Sequence, residues 1–292
     1  MKKRKGIILS GGLGTRLFPV TKVVSKQLLP IYDKPMIYYS LSVLMLANIK
    51  EILIITTQKD IELYKNLLKD GRDWGVKIDY AIQKKPEGLA QAFIIGERFL
   101  NNSPSALILG DNIFHGVGLE DLLIKTSEDN SHEATVFACH VKDPKRYGIV
   151  NFSKKNIALN IDEKPNRPKS NYAVTGLYFY DNKASYYAKK LKPSKRGELE
   201  ITDLNRMYLK TQKLNVVKLG RGYSWLDAGT HVSMLEASMF IYNMEKRHDL
   251  KIACLEEIAL RKKWISKGQF NNIIKPYLSN DYGNYLNNLN ID

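Results

Sequence analysis

Cysteine is scarce in this chain, whose 292 residues include only Cys139 and Cys254, far apart in sequence. Two distant cysteines cannot form a disulfide framework, and they lack the close spacing of a structural zinc site. We therefore expect two buried free thiols, which is typical of a protein that resides in a reducing cytoplasm.

Long hydrophobic runs are also missing. The longest apolar stretch, residues 37–49, is interrupted by serines and is shorter than the roughly 20 residues that cross a bilayer. The basic start of the chain resembles the beginning of a signal peptide, but glycines follow the short apolar segment at residues 7–9. The sequence therefore predicts neither a membrane span nor a secretion signal.

Acidic residues are outnumbered: 45 lysines and arginines face 30 aspartates and glutamates, which gives a formal net charge of +15. Such an excess fits nucleic-acid binding, small polyanionic substrates or a solvated basic surface. The lysines are spread through helical segments, and no basic run is interleaved with aromatic residues as in a nucleic-acid platform. We therefore expect no nucleic-acid partner.

Short apolar segments alternate with helical patterns through the first half of the chain. This alternation predicts an α/β fold with a mainly parallel sheet, in which ligands bind beyond the carboxyl ends of the strands. The expected strands and helices lie at residues 6–10, 37–47, 51–57, 61–69, 76–83, 89–100, 106–109, 119–127 and 134–140.

The pattern changes after about residue 145. Strand-like segments at 147–152, 157–163 and 172–180 have little helix between them, and helices return at 201–210 and from residue 230. The tail, residues 270–292, carries apolar residues that predict a docked helix. We expect a main unit over 1–240, with halves at about 1–145 and 146–240, and a helical C-terminal region over 241–292.

A glycine-rich loop, Gly11-Gly12-Leu13-Gly14-Thr15-Arg16, directly follows the first predicted strand. Glycines let backbone N–H groups approach an anion, and an arginine adds a cationic fork suited to phosphate. A Walker A loop is absent, and Leu17 stands where a dinucleotide fingerprint needs its third glycine. Taken alone, the loop fits either a phosphate site or a tight turn.

A longer series of segments is more specific. Gly11–Leu17 is followed by Pro19, Thr21, Lys26 and Leu28-Leu29-Pro30, and this string resembles the signature of sugar nucleotidyltransferases. Further matching segments run in order to about residue 260, and together they resemble the glucose-1-phosphate thymidylyltransferase branch of that family. They lie at residues 26–39, 87–92, 109–114, 143–148, 163–165, 172–178, 196–203, 225–231 and 250–254.

The resemblance implies a Rossmann-like fold and a reaction in which glucose 1-phosphate attacks the α-phosphorus of dTTP, giving dTDP-glucose and pyrophosphate. A phosphate nucleophile needs no general base, so positioning and charge neutralisation should dominate. By their motif positions, Arg16, Lys26 and Lys164 are the expected catalytic cations. Asp111 ends a predicted strand and Asp227 lies in a predicted turn, and the resemblance makes this pair the ligands of Mg²⁺.

The remaining site residues also follow from the resemblance. Gln83 can pair with thymine through its amide, and Gly88 would let the backbone approach the base. The expected nucleotide contacts are Leu9, Gly11, Gly12, Gly14, Thr15, Arg16, Gln83, Pro86, Gly88 and Asp111. The expected sugar-phosphate contacts are Lys26, Asn112, Gly148, Glu163, Lys164 and Val174.

The family resemblance further implies a homotetramer with a second nucleotide site that binds a downstream dTDP-sugar as feedback inhibitor. That site would draw on Gly116, Arg221, Lys251, Glu257, Ile258 and Arg261. The alternatives are a related enzyme that uses UTP or another sugar phosphate, and a non-enzymatic homologue. The second alternative predicts loss of Arg16, Lys26 or Asp111, and all three are present.

Overall fold

The computed structural model describes residues 2–129 and 131–289 and has an α/β architecture. Thirteen strands are assigned in the described residues. They are β1 (Lys5–Leu9), β2 (Pro30–Ile31), β3 (Lys34–Pro35), β4 (Glu51–Thr56), β5 (Lys77–Ile82), β6 (Ser105–Leu109), β7 (Asn112–Gly116), β8 (Ala134–His140), β9 (Gly148–Phe152), β10 (Ala158–Glu163), β11 (Tyr172–Tyr180), β12 (Leu214–Lys218) and β13 (Tyr223–Asp227).

Eleven α-helices are assigned in the same described residues. They are α1 (Met36–Leu46), α2 (Ile61–Leu68), α3 (Gln91–Ile95), α4 (Glu97–Leu100), α5 (Leu119–Glu128), α6 (Ala184–Ala188), α7 (Ile201–Lys210), α8 (His231–His248), α9 (Leu255–Arg261), α10 (Lys267–Ile274) and α11 (Asp281–Asn287). No helix in this part of the chain is both long and apolar enough to cross a membrane.

One large sheet forms the centre of the molecule. Its path runs β10-β9-β11-β6-β1-β4-β5, and β8 and β12 branch from β11. Strands β5, β4, β1 and β6 are mutually parallel, and the apolar side chains of the central ones are buried on both faces, as expected for a covered parallel sheet. Because β1 has β4 on one side and β6 on the other, the order reverses there, which opens a crevice beyond its carboxyl end.

The second half of the sheet pairs differently. The nine-residue β11 runs antiparallel to β6, β8 and β9, with an irregularity in its pairing to β8 between Val174 and Tyr178. The strands predicted at 147–152, 157–163 and 172–180 are confirmed. The predicted α/β class with a mainly parallel sheet flanked by helices is also confirmed.

Five strands were missed by the sequence patterns: β2, β3, β7, β12 and β13. The prediction that Asp227 lies in a turn is therefore wrong, because Asp227 is the last residue of β13 and pairs with Asn112 of β7. Antiparallel pairing of β7 and β13 makes a two-stranded ribbon outside the main sheet. The segments are short and not clearly alternating, so periodicity could not reveal them.

The helix predicted over residues 89–100 is interrupted. Helix α3 ends at Ile95 and α4 begins at Glu97, with Gly96 between them. A Cβ atom added at Gly96 would lie 3.0 Å from both the Ala92 carbonyl oxygen and the Ile7 side chain. The glycine thus allows a close approach of this segment to β1, and it breaks the helical pattern at that point.

The C-terminal helices dock on the core, as predicted for the tail; residues 290–292 lie outside the described residues. The buried Glu256 carboxylate of α9 accepts hydrogen bonds from Trp74 Nε1 at 3.0 Å and Tyr282 Oη at 2.5 Å. These bonds join α9 and α11 to the first half of the chain. Helix α8 begins with a capping box between Thr230 and Ser233, which satisfies free N–H groups of its first turn.

Candidate active site

A cavity of about 680 Å³ lies at the carboxyl edge of the sheet. It collects side chains from the loop after β1, the end of β6, the start of β9, the end of β10 and the end of β13. Eight residues predicted for the nucleotide, sugar or metal border it, namely Arg16, Asp111, Asn112, Gly148, Glu163, Lys164, Val174 and Asp227.

The glycine-rich loop reaches this cavity through Arg16, which lies in a short 3-10 turn over Thr15–Leu17. Gly14 precedes the turn with φ of 62°, in the left-handed region that favours glycine. Its carbonyl accepts a hydrogen bond from Thr21 Oγ1 at 2.7 Å, which fixes the loop. The other predicted loop contacts, Leu9, Gly11, Gly12, Gly14 and Thr15, lie outside the residues that border the cavity.

Gln83 is buried beside the same loop. A Cβ atom at Gly11 would lie 2.0 Å from Gln83 Oε1, so only glycine fits there. Gln83 Nε2 donates to Gln91 Oε1 at 2.6 Å, which fixes the orientation of the amide. Gln83 therefore lies against the loop, while the role of its amide towards a base stays a prediction.

Gly88 has a local structural reason to be glycine. Its φ is 108°, and an added Cβ would lie 2.4 Å from the carbonyl oxygen of Leu199. Leu199 N donates to the Glu87 carbonyl at 2.7 Å, so the two segments touch through their backbones. The close approach seen at Gly88 is to Leu199. Contacts of Gly88 and the exposed Pro86 with a base remain predictions.

The two carboxylates come together through the β7–β13 ribbon. Asp111 directly precedes β7 and Asp227 ends β13, and Ala228 N donates to the Asp111 carbonyl at 3.0 Å. Lys26 Nζ makes a very short ion pair with Asp111 Oδ2. Arg146 Nη2 lies 3.8 Å from Asp227 Oδ2. Each carboxylate therefore has its own cation.

The pKa values of the two carboxyl groups move in opposite directions. Burial disfavours the charged form of Asp111, but Lys26 and the Asn112 amide outweigh it, so the pKa of Asp111 lies below its ordinary value. Burial, followed by the charge of Asp111, raises the pKa of Asp227 above its ordinary value against the pull of Lys26, Arg146 and Arg16. The pair is thus incompletely neutralised by the protein.

Asn112 borders the cavity, and most of the hydrogen-bonding capacity of its side chain is used inside the protein. Its Oδ1 accepts from Gly176 N at 3.0 Å and from Trp225 Nε1 at 2.6 Å. Its Nδ2 donates to Asp111 Oδ1 at 3.1 Å. The amide therefore orients Asp111, and only the second N–H of its Nδ2 could make the predicted sugar contact without rearrangement.

The opposite wall of the cavity carries the residues predicted for the sugar phosphate. Glu163 Oε2 accepts from Thr202 Oγ1 at 2.5 Å, and Lys164 Nζ lies 3.8 Å from Glu163 Oε1. Lys164 has a φ of 41°, and its N–H donates to the Tyr147 carbonyl at 3.0 Å. A Cβ at Gly148 would lie 2.9 Å from Thr202 Oγ1, so glycine keeps this wall open.

Two cavity arginines were missed as site residues. Arg196 Nη2 makes ion pairs with Glu200 at 2.7 Å, Glu198 at 3.2 Å and Glu163 at 3.3 Å, and Arg146 faces Asp227. Both lie in segments that resemble the family, 143–148 and 196–203. The resemblance of those segments is the signal in the sequence that could have identified these arginines as site residues. Arg146 places a cation beside Asp227, whereas the charge of Arg196 is already paired with glutamates of the same cavity.

A second cavity, of about 520 Å³, lies between β7, the start of α5, the end of α8 and α9. Five of the six residues predicted for a second nucleotide site border it: Gly116, Lys251, Glu257, Ile258 and Arg261. Arg221 does not border it, although it precedes β13 on the side where Tyr223 pairs with Gly116. His115 and His248, which had no predicted role, also line this cavity.

Comparison with known proteins decides the family. The nucleotidyl transferase family model matches residues 5–244. The chain belongs to this family. It is 58% identical over 286 residues to a glucose-1-phosphate thymidylyltransferase of Xanthomonas campestris pv. campestris strain B100, with 98% of this chain and 97% of the relative covered, and it belongs with the glucose-1-phosphate thymidylyltransferases.

Two solved structures extend the comparison. A Bacillus anthracis protein, solved with sucrose under the name of a glucose-1-phosphate thymidylyltransferase, superposes with a TM-score of 0.76 and 40% identity, covering 92% of this chain and 99% of its own. A UDP-glucose pyrophosphorylase complexed with UDP-glucose superposes with a TM-score of 0.72 and 26% identity, covering 83% and 100%.

The donor set of this nucleotidyl transferase fits Mg²⁺ bound partly by substrate. No group of three or more His, Cys, Asp or Glu side chains suited to a metal occurs in residues 2–129 and 131–289. Mg²⁺ is commonly held by one or two protein carboxylates, with phosphate oxygens and waters completing its shell. The pKa of Asp227 is raised because its negative charge is only partly offset by the protein. A bound divalent cation would offset the remainder.

Proposed function

We propose that this chain transfers the thymidylyl group of dTTP to glucose 1-phosphate. A phosphate oxygen of the sugar phosphate forms a bond to the α-phosphorus, and the bond from that phosphorus to the pyrophosphate oxygen breaks. The products are dTDP-glucose and pyrophosphate. The observation that carries the proposal is the cavity lining, where cations from separate segments surround two adjacent carboxylates.

The charges of the cavity suit this reaction. Two polyanions repel each other strongly once water is excluded, so the site must neutralise charge and hold the reacting groups in line. Arg16 is proposed to bind the triphosphate and the charge that develops on leaving pyrophosphate. Lys164, which borders the cavity, and Lys26, which contacts the cavity residue Asp111, are proposed to bind the α-phosphate and the sugar phosphate. A phosphate dianion supplies its own electron pair, so no general base is required.

We propose Mg²⁺ as the cofactor, held by Asp111 and Asp227. When bound, it supplies positive charge that links and neutralises phosphate oxygens. The chain's own contribution is to fix both carboxylates. Asn112 holds the Asp111 side chain, and the β7–β13 pairing sets the place of Asp227. A cation between such fixed carboxylates would keep a defined position relative to Arg16.

The base and sugar subsites remain proposals built on position. Gln83 lies against the glycine-rich loop and offers an amide suited to the O4 and N3–H of thymine. Pro86, Gly88 and the loop from Leu9 to Thr15 are proposed to line the nucleotide. Glu163 is proposed to accept from sugar hydroxyls, with Gly148 and Val174 contributing backbone groups and Asn112 completing the wall.

A related activity with UTP is the second candidate, because the fold is shared with a UDP-glucose pyrophosphorylase. Pyrophosphate release should be measured with dTTP, UTP, dCTP and ATP, each against glucose 1-phosphate, galactose 1-phosphate and mannose 1-phosphate. We expect the highest kcat/KM for dTTP with glucose 1-phosphate. A panel in which UTP or another sugar phosphate exceeds this pair, or in which no pair reacts, contradicts the proposal.

A regulatory role is proposed for the second cavity. It brings together five of the residues expected for a second nucleotide, including Lys251 and Arg261, whose charges suit a diphosphate. We propose that a dTDP-sugar binds there as feedback inhibitor and that the protein is a homotetramer. The two cysteines are free, which supports a cytoplasmic location. The division near residue 240 stays a prediction, and α8 runs across it as one continuous helix.

A further inference from the structure

Lys26 lies outside the residues that line the cavity but makes the closest ion pair with a lining residue, Asp111, which is one of the two proposed metal ligands. Lys26 Nζ contacts Asp111 Oδ2, and the side chains are only 17% and 13% exposed. The same ammonium also acts electrostatically on Asp227, where it counters the charge of Asp111. Lys26 is therefore the direct counter-ion of Asp111 and also acts at longer range on Asp227, beside Arg146.

The second cation of the site is held more loosely. Arg146 Nη2 lies 3.8 Å from Asp227 Oδ2, and its side chain is 42% exposed. Water screens such a pair much more than it screens a buried one. Of the two cations, Lys26 is thus the one that occupies the low-dielectric space next to the carboxylates.

The backbone that carries Lys26 is fixed on both sides. Ser25 N donates to Asp60 Oδ1 at 3.2 Å, and Ser25 Oγ donates to Gln27 Oε1 at 2.6 Å. Both Ser25 and Gln27 are buried. Lys26 can therefore leave Asp111 only by swinging its flexible four-carbon side chain, without a movement of the loop.

We propose that Lys26 is a resident counter-ion that blocks the Asp111–Asp227 pair against free divalent cations and is drawn away by the nucleotide phosphates. An incoming triphosphate offers Lys26 a better partner, and the vacated Asp111 oxygen then becomes a ligand. Lys26 thereby couples metal binding to nucleotide binding and keeps the empty site from retaining a metal. This inference rests on the proposed function and adds a role for Lys26 before any reaction occurs.

The test measures binding of Mn²⁺, a paramagnetic substitute for Mg²⁺, to the full chain without nucleotide, by electron paramagnetic resonance of the free ion. Removing the positive charge with Lys26→Gln should tighten Mn²⁺ binding by about tenfold or more, because an adjacent like charge is lost. Arg146→Gln should tighten it by only about threefold, since its charge is farther away and better screened. Lys22→Gln removes an equal charge from an exposed residue nearby and should change nothing.

Two further variants separate the effect of the lost charge from a loss of structure. Thermal melting of each variant shows whether it is folded. Lys26→Met is a second neutral substitution and should behave like Lys26→Gln. Lys26→Arg keeps the charge, so its Mn²⁺ affinity should stay close to that of the wild type. The proposal is overturned if the neutral variants bind Mn²⁺ no more tightly than the wild type, or if Lys26→Arg binds it as tightly as they do.

Activity assays on the same proteins show whether a negative result contradicts the counter-ion role of Lys26 or the proposed function. If the wild type makes dTDP-glucose and the Mn²⁺ affinities are unchanged by Lys26→Gln, only the counter-ion role fails. If Lys26→Gln tightens Mn²⁺ binding and no sugar phosphate reacts with dTTP, only the proposed function fails.

Discussion

The two cavities of this protein are joined by one ribbon but differ in how their charges are satisfied. Asn112 and Asp227, paired at one end of β7–β13, border the first cavity, and Gly116 at the other end borders the second. In the first cavity, Asp227 lies beside another carboxylate, and its ion pair with Arg146 spans 3.8 Å.

Several charged groups of the second cavity are already paired. Lys251 Nζ contacts Asp33 Oδ2 at 2.6 Å and Glu245 Oε2 at 2.8 Å. Glu257 accepts from Arg261 Nε at 2.7 Å and from Tyr285 Oη at 2.5 Å. The first cavity thus holds a carboxylate whose charge is only partly offset, whereas these charged groups of the second cavity form complete pairs. The following experiments challenge that contrast.

The largest difference between substitutions in the two cavities should appear in the turnover number, kcat. Asp111→Asn and Asp227→Asn keep the side-chain shape but remove the charge that holds a cation, and we expect each to lower kcat by about 10²-fold or more. Asp121→Asn makes the same chemical change at the rim of the second cavity and should leave kcat unchanged. Pyrophosphate release over a range of Mg²⁺ concentrations measures this, and excess Mg²⁺ should partly rescue the weaker variant. Wild-type activity that survives chelation contradicts the proposed metal.

The ionisation of Asp111 and that of Asp227 should change the stability of the fold in opposite directions. The lowered pKa of Asp111 means that its ionisation stabilises the fold above its unfolded pKa, and this contribution is lost as the pH falls. The raised pKa of Asp227 has the opposite sign, because the folded state holds its proton longer and loses stability as the pH rises through the acidic range.

At pH 7 without metal or nucleotide, Asp111→Asn should therefore lower the free energy of unfolding by about 3 kcal/mol, since Lys26 is left without its buried partner. Asp227→Asn should raise the melting temperature by about 2 °C. Thermal melts at pH 7, pH 4 and pH 2 test this. The Asp227 difference should already shrink at pH 4, whereas the Asp111 difference should persist there and shrink only below the ordinary carboxyl pKa of 3.8. Equal shifts of the same sign would remove the electrostatic distinction between the two residues.

Base selection should change by a smaller amount. If Gln83 pairs with thymine, Gln83→Ala leaves a buried base edge unpaired, which costs about 1–3 kcal/mol. The ratio of kcat/KM for dTTP over dCTP should then fall roughly tenfold. Gln58→Ala, at an exposed glutamine, is the matched control. An unchanged ratio in Gln83→Ala excludes this residue from the base subsite.

The smallest effect should be in feedback inhibition. Arg261 borders the second cavity and Arg221 does not, so Arg261→Ala should raise the inhibitory concentration of a dTDP-sugar more, by about fivefold, than Arg221→Ala. Initial rates with increasing dTDP-rhamnose or dTDP-glucose measure this shift. An absence of inhibition in the wild type, together with only monomer in light scattering, contradicts both the regulatory site and the homotetramer.

Many of the elements could be predicted from local patterns. The sequence predicts the bounds of four buried elements to within about two residues, namely β1, β4, β6 and α1. Buried segments consist mainly of apolar residues, so their composition identifies them directly. The loop from Gly11 to Arg16 could be tied to phosphate only through the longer family string. Its geometry adds reasons for two glycines: Gly14 has a positive φ, and Gly11 is packed against Gln83.

What the sequence alone determined is the class of fold, the family and the set of residue types for phosphate chemistry, since these depend on local order along the chain. The tertiary structure decided which of those residues meet. Trp225 and Asn112 are 113 positions apart, yet the β7–β13 register joins them and brings Asp227 beside Asp111. The same pairing commits the Asn112 amide to the protein and leaves Lys26 as the counter-ion. Strand register and ion pairing depend on contacts between distant segments, and no local pattern in either segment carries that information.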